Sequence, residues 1–488
     1  MRQREPIWWV GATVAVLAGF SFFSGLGIRG LYAQVASGRE DVSNLPKLAS
    51  TAPRVPDPDL RPAELYWDVL HKLQLYYVEP LPPKSKLAYG AIDTMLNQLK
   101  DPNTRLLSPE EMSALKGVGE GRFTGLGAVL TVRRYNNRPD AAMPVDEEGG
   151  NADEASRGVR TITVVSVPPG TPADKAGLQP GDRITEIDGK WVAPIHLSYR
   201  VLTQLTDPAG PQDGQPDSPH EDPERPEPDP KREQLRKEAE EEAKRWKTAT
   251  DLASGMTLLA STAGEHELTV ERGTPAKTVK VRVNLADTQV PLVSARKLNG
   301  ANGYLQVLAF DAATVKKAGE ELAALKKQGV KHLVLDLRQN AGGSLEATRD
   351  LAGMLMGDGK FATVKEYVTQ ADGSRKLTDR PLVIKGVTPV LKPASLSVLV
   401  NGGTAGTAEL LAASLRDGLS AKLVGSETFG AGTIQEVHPL PNGAGVSITR
   451  AKVLTARGID FDAKGLKADV APQGDPVEAA VKALSAGA

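Results

Sequence analysis

Residues 398–415 constrain this chain more than any other stretch. Val398-Leu-Val-Asn401 reads as a short buried strand, Gly402 to Ala408 is a run of small residues, and Glu409 to Leu415 has helical spacing with Leu411 and Leu415 on one face. A strand, a tight turn and a helix start, in that order, are a common setting for a nucleophile. The turn exposes its side chain, and the helix N-terminus favours developing negative charge. Residues 330–343 repeat the arrangement: a buried strand, Val330 to Leu337, runs into Asn340-Ala-Gly-Gly343. Glycines there leave backbone N–H groups that can form an oxyanion hole.

The surrounding pattern alternates strand and helix. Gly303 to Phe310 reads as a strand, and Ala312 to Gln328 as a helix with Val315, Ala318, Leu322 and Leu325 inward. Leu345 to Met356 reads as a further helix, so an α/β core over 286–488 is expected. Upstream, Tyr66, Leu70, Leu73 and Tyr77, and then Ala88, Ile92, Met95 and Leu99, form two helical stripes in a segment 63–116. From Arg122 short strands take over, in a module spanning 117–285. Within it, Asp207 to Pro230 is rich in proline and acid and cannot bury a core, while Lys231 to Lys247 has the i,i+4 charge pattern of an exposed helix. The insertion 207–247 reads as a solvated excursion, with a regulatory arm as the second reading.

Two resemblances follow. G-T-P-A-D-K-A-G-L-Q-P-G-D (170–182) and I-T-E-I-D-G (184–189) resemble the signature of PDZ domains, and Phe123 to Ala128 resembles their carboxylate-binding loop. That likeness implies that the backbone around Gly125, Leu126 and Gly127 holds a peptide C-terminus, with the next strand accepting the peptide by β-addition. D-L-R-Q-N-A-G-G (336–343), N-G-G-T-A-G-T-A-E (401–409) and T-F-G-A-G-T-I-Q (428–435) resemble three motifs of the carboxyl-terminal processing, or tail-specific, proteases. Together the likenesses run from Glu64 to Val470 and imply a multidomain α/β protein: helical segment, PDZ domain with a charged insertion, and a crotonase-like protease core. For the helical segment the family adds dimerisation.

That family uses a Ser–Lys dyad assisted by a glutamine. Carried over, the serine falls on Gly406, the lysine on Ala431, 25 positions later, and the glutamine on Gln435. The oxyanion donors fall on Gly342, Gly343 and Thr407, and the flanking Glu409 and Asp417 are present. Glycine carries no nucleophile and alanine accepts no proton, and losing one dyad member removes nearly all covalent catalysis. One reading is therefore a pseudoprotease that binds chain ends, alone or beside an active paralogue or a second copy. The other is a working endopeptidase with displaced chemistry, using Thr404 or Thr407, with Lys422 the nearest basic side chain. A one-residue shift in such a turn rotates a side chain by about 100°. His438, three residues past Gln435, reads as a packed or solvated histidine near a strand end.

Composition narrows the rest. A net charge of −1 and a pI near 6.6 speak against nucleic acid as a partner. With no cysteine, disulfides, thiol catalysis and zinc–thiolate sites are excluded. No metal-ligand cluster or phosphate loop is evident, so no cofactor is expected. Arg2 and Arg4 precede an uncharged run from Ile7 to Ile28, long enough to cross a bilayer with the N-terminus inside. The expectation is a single-pass anchor over 1–33 and a proline-bearing tether over 34–62, with the rest extracytoplasmic, on the periplasmic side. A cleaved signal ending in the small residues of 31–36 is the second reading, weakened by Arg29.

Overall fold

The computed structural model describes residues 62–78, 81, 84–99, 101–135, 159–193, 244–245, 248–261, 264–370 and 373–485. The expected anchor, the tether up to residue 61, and the 207–247 insertion apart from 244–245 lie outside these residues. Among the described residues no helix is long and apolar enough to cross a membrane. The chain divides into one unit ending at Leu81 and a second beginning at Pro82. In the first, Pro62–Tyr76 is a helix on which Leu65, Val69 and Tyr76 are exposed.

In the second unit, the core is a five-stranded sheet ordered 293–297, 302–307, 332–336, 395–400 and 422–425. The first pair is antiparallel and the other three are parallel, in the register Asn302–His332–Ser395 with Lys422 beside Ser397. Parallel strands covered on both faces read as continuous apolar runs, and Ser395–Val400 is buried from Leu396 onward. The crossovers are the helices Ala312–Lys327, Leu345–Met356 and Thr407–Leu419. Asp311 accepts from the Thr314 N–H at 2.7 Å to start the first helix, and Ser344 accepts from the Ala347 N–H at 3.2 Å to start the second. The inward stripe expected for the first helix, Val315, Ala318, Leu322 and Leu325, is buried in the main core. In such a sheet sites form beyond the carboxyl ends of the strands, here 336–343, 401–407 and 425–431.

A second sheet was not expected from the sequence. Strands 359–369 and 375–384 form a hairpin, and 359–369 pairs with the long strand 445–455, whose other edge carries 433–439. Arg105–Leu107 pairs with 445–447, so a stretch placed by sequence in the helical segment adds a strand to this sheet. It leads into the helix Pro109–Gly119, closed by a capping box between Ser108 and Glu111.

The module before the core is a sheet ordered 129–135, 159–166, 183–187, 190–193 and 250–251, with 265–272 and 277–284 added beside 183–187. Its core holds Leu126, Ile162, Val164, Ile184, Leu259, Leu268 and Val270. The G-D pair of the signature has a physical role: Asp182 is fully buried, accepts from the Gln179 N–H at 2.9 Å and is held by Arg272 at 2.6 and 2.7 Å. Among the described residues Val129–Tyr135 is an edge strand, paired only with 159–166.

One residue departs from the apolar logic of the core sheet. The Ser397 hydroxyl is buried with no hydrogen-bond partner among the described residues. Ser397→Ala removes the unsatisfied group and is expected to raise the unfolding free energy by about 1 kcal/mol. A fall in the urea midpoint on this substitution would show that the hydroxyl has an acceptor.

Candidate active site

The turn after Val400 is fixed by side chains that imitate backbone. Asn401 Oδ1 accepts from the N–H groups of Gly403 and Gln339, at 3.0 and 3.2 Å. The buried Thr404 hydroxyl donates to the Leu337 carbonyl at 2.8 Å and accepts from the Asn401 N–H at 3.0 Å. Gly406 follows at φ 59°, ψ −120°, immediately before the helix Thr407–Leu419. A side chain there is strained but has space: a Cβ would meet only the Ala341 carbonyl oxygen, at 3.6 Å.

Glu409, in the first turn of that helix, is fully buried. Its Oε2 accepts from the Gly406 N–H at 2.9 Å and from the Ala431 N–H at 2.8 Å. Its Oε1 accepts from the Gly430 N–H at 2.8 Å and from the Thr428 hydroxyl, which in turn accepts from the Leu466 N–H at 2.6 Å. One carboxylate oxygen thus draws the backbone nitrogens of Gly406 and Ala431 to within the sum of its two bonds, 5.7 Å. Burial pushes the Glu409 carboxyl up from its ordinary value, opposed by the four donors.

The second loop is built around Asn340, also buried. Its side-chain amide donates to the Val307 carbonyl at 2.9 Å, and its Oδ1 accepts from the Gly342 N–H at 2.7 Å. The expectation that the Gly342 N–H serves an oxyanion is therefore corrected, because Asn340 consumes that donor. Gly342, at φ 95°, lies against the start of the helix, where a Cβ would come 3.0 Å from Thr407 N. Thr407 is the first helical residue, so its N–H has no intrahelical acceptor, and Gly343 is exposed. Thr407 and Gly343 remain the oxyanion candidates. Below them, Asp336 is buried beneath Arg338, at 2.5 Å, and the Tyr304 hydroxyl, at 2.7 Å; burial and this carboxylate push the phenol well above its usual range.

Gln435 lies on the strand Thr433–Pro439, where its amide donates to Thr433 Oγ1 and accepts from Thr449 Oγ1, both at 3.0 Å. Thr449 continues through Thr104 to Asp101, at 3.0 and 2.7 Å. Lys422 opens its strand, at the end of the sheet opposite the site. His438 is exposed, 3.8 Å from Glu436.

In the 123–128 loop the Leu126 N–H donates to the Leu259 carbonyl at 2.8 Å, and the Gly127 N–H to the Thr124 carbonyl at 3.3 Å. Gly125, at φ 70°, is pressed against the backbone of 259–261. The carboxylate role expected for the Leu126 N–H does not hold in this arrangement, because the end of the helix Leu252–Leu259 takes the donor. Two contacts that the sequence reading missed join this module to the site. Arg133 stacks 4.1 Å from the Phe429 ring centroid and donates to the Gly430 carbonyl at 2.9 Å. The Val167 N–H donates to Gln339 Oε1 at 2.7 Å. No local pattern marks either pair, since the partners are more than 170 residues apart.

The Glu409 carboxylate makes two expectations testable. Glu409→Ala leaves three amides and a hydroxyl without their acceptor and is expected to cost about 3–5 kcal/mol in urea unfolding. A carboxyl whose native pKa is raised contributes most below its unfolded value, about 4.3, and loses that contribution as pH rises through the native value. The unfolding free energy of wild type minus that of Glu409→Gln should therefore fall as pH rises from about 4.3 through the native value, and level off above it. A difference that grows with pH means that the four donors outweigh burial.

The comparisons with known proteins agree with this geometry. The profile of peptidase family S41 matches residues 301–471, and that of the PDZ domain residues 163–199. The chain is 28% identical to the chloroplastic C-terminal processing peptidase of Tetradesmus obliquus, over 80% of this chain and 69% of that protein. It is 28% identical to the carboxyl-terminal-processing protease of Synechocystis, over 81% and 73% of the two chains. Among solved structures it is similar to the photosystem II D1 C-terminal processing protease, with a TM-score of 0.52 and 25% identity, covering 86% of this chain and 90% of that one. With a mixed α/β fold that carries a PDZ module before a family S41 core, the chain is similar to the carboxyl-terminal processing proteases over about four fifths of its length.

Proposed function

We propose that this chain is a membrane-anchored, extracytoplasmic pseudoprotease, one that binds protein ends without cutting them. The observation that carries the reading is the pairing of Gly406 with Ala431 on one Glu409 oxygen. Those are the positions at which the family's serine and lysine would meet, and neither residue has a reactive group. Displaced chemistry has little support. Thr404 is buried and bonded on both sides, Lys422 is at the far end of the sheet, and among the described residues Thr407 Oγ1 bonds only the Gly343 carbonyl, at 3.4 Å.

The full-length wild-type chain, in detergent, is expected to leave an unfolded, apolar-tailed protein uncut. Gly406→Ser combined with Ala431→Lys should gain cleavage, and neither single substitution should. The serine alone should lower stability by about 1–3 kcal/mol, the cost of a side chain at that backbone conformation. Cleavage by the wild type sinks the pseudoprotease reading, while an inert but folded double variant means that the oxyanion loop has drifted as well.

The binding partner in this reading is an exposed apolar chain end, laid along the edge strand Val129–Tyr135. An active paralogue or a second copy of the chain is a further partner. Affinity should be on the order of micromolar. Because the Leu126 donor is already used, amidating the peptide should weaken binding less than about tenfold, against the larger loss expected when a charge-assisted bond is removed. Fluorescence anisotropy with acid and amide forms of one peptide reads this directly. A loss beyond tenfold would mean that the loop opens to capture the carboxylate.

The anchored location rests on the uncharged run Ile7 to Ile28 behind two arginines. The protein should stay in the membrane fraction after a carbonate wash. A soluble mature chain beginning near Gln34 or Ser37 contradicts the anchor and indicates a cleaved signal.

A further inference from the structure

At the end of the core sheet opposite the candidate site, charge is distributed very unevenly. Residues 296–302, 326–332, 385–395 and 416–422 lie where the parallel strands begin. Together they hold nine basic residues, Arg296, Lys297, Lys326, Lys327, Lys331, Lys385, Lys392, Arg416 and Lys422, and one acid, Asp417, in a chain whose totals are 59 and 60. Asp417 is already paired with Arg457, at 3.0 Å. The adjacent turn adds Lys360 and Asp358, and Asp358 accepts from the Val387 N–H at 3.0 Å.

The residues are held together by backbone. Lys297 Nζ donates to the Gln328 carbonyl at 2.8 Å, beside Lys326 and Lys327. The Lys331 carbonyl accepts from the Ala394 N–H at 2.7 Å, which brings the 385–395 loop and Lys392 alongside. All five of these lysines are exposed, and among the described residues none is paired with a carboxylate. Complementing a helix C-terminus accounts for Lys297, Lys326 and Lys327. It does not account for Lys331, Lys392 or Lys422, which stand where strands begin.

We propose that this lysine-rich end docks on an anionic phospholipid bilayer and turns the candidate site away from it. Charge complementarity favours that occupant, since each basic side chain near an anionic surface adds to attraction that decays within a Debye length. The proposal takes from the reading above only the membrane-bound start of the chain. The 28 residues from 34 to 61 reach at most about 100 Å, which keeps the folded part close to the bilayer.

The test is lysine acetylation footprinting of the full-length chain in nanodiscs, read by mass spectrometry. In discs rich in phosphatidylglycerol, Lys297, Lys326, Lys327, Lys331 and Lys392 should label about fivefold or more slowly than in phosphatidylcholine discs. The exposed Lys175 and Lys277 should not change. High salt should abolish the protection, and so should joint Lys326→Gln, Lys327→Gln and Lys331→Gln substitution, read at Lys297 and Lys392 with the melting curve as a check on folding. Labelling that is the same in both discs, whether fast or slow, overturns the proposal. If carbonate releases the chain and the anchor reading fails, the released chain is mixed with vesicles of the two compositions. Co-sedimentation with the anionic vesicles alone then supports the basic face, and its absence overturns it.

Discussion

The Glu409 carboxylate is the interaction on which the candidate site depends. It lies at a helix start, where the backbone dipole favours negative charge, and in a fully buried place, where desolvation opposes it. Four donors from two segments oppose that desolvation, and in doing so they join the 401–407 turn to the 428–431 loop. Three of the four are backbone amides, which no side-chain substitution short of proline removes. The frame therefore does not need a serine at 406 or a lysine at 431 to keep its shape. A site of this kind can lose its chemistry and keep its architecture, because what positions the two reactive places is independent of what they carry.

The same separation of frame and chemistry applies to the PDZ module. Arg133 on Phe429 and Gly430, and Val167 on Gln339, tie it to both loops of the site. Gln339 holds a left-handed backbone conformation at φ 60°, unusual for a residue other than glycine, and its side chain is spent on the module. The loop that resembles a carboxylate binder is meanwhile closed on its own helix. Its glycine at 125 answers to that closure and its glycine at 127 to the close approach of Thr171 and Pro172, since both have positive φ and neither leaves room for a Cβ.

Much of the core was legible because its signals are local. The strand, turn and helix at 398–415, the inward stripe of Ala312–Lys327 and the 170–189 signature all rest on spacing within one element or between neighbours. The 25-residue separation of Gly406 and Ala431 was legible too, and the structure brings these two residues together. What escaped is long-range. Glu409 was visible as a flanking acid but not as a clasp, because its donors arrive from 428–431. The Leu126 amide looked available because its acceptor, Leu259, is 133 positions away. The hairpin 359–384 has one strand with a continuous buried run, 361–364, and one that is mostly exposed, so neither shows a clean alternation. Arg105–Leu107 is a three-residue strand defined only by its partner. The Gly342 donor was lost to Asn340, two residues away, a local turn that its asparagine could have signalled.

The most direct test of the central claim is the reaction of the wild-type chain with a serine-directed fluorophosphonate, read as intact mass and by peptide mapping. An assembled frame without a nucleophile predicts no adduct anywhere in 401–409, under conditions in which an active relative is fully labelled. A stoichiometric adduct on Thr404 or Thr407 would contradict it, and would show that the chemistry has moved rather than gone.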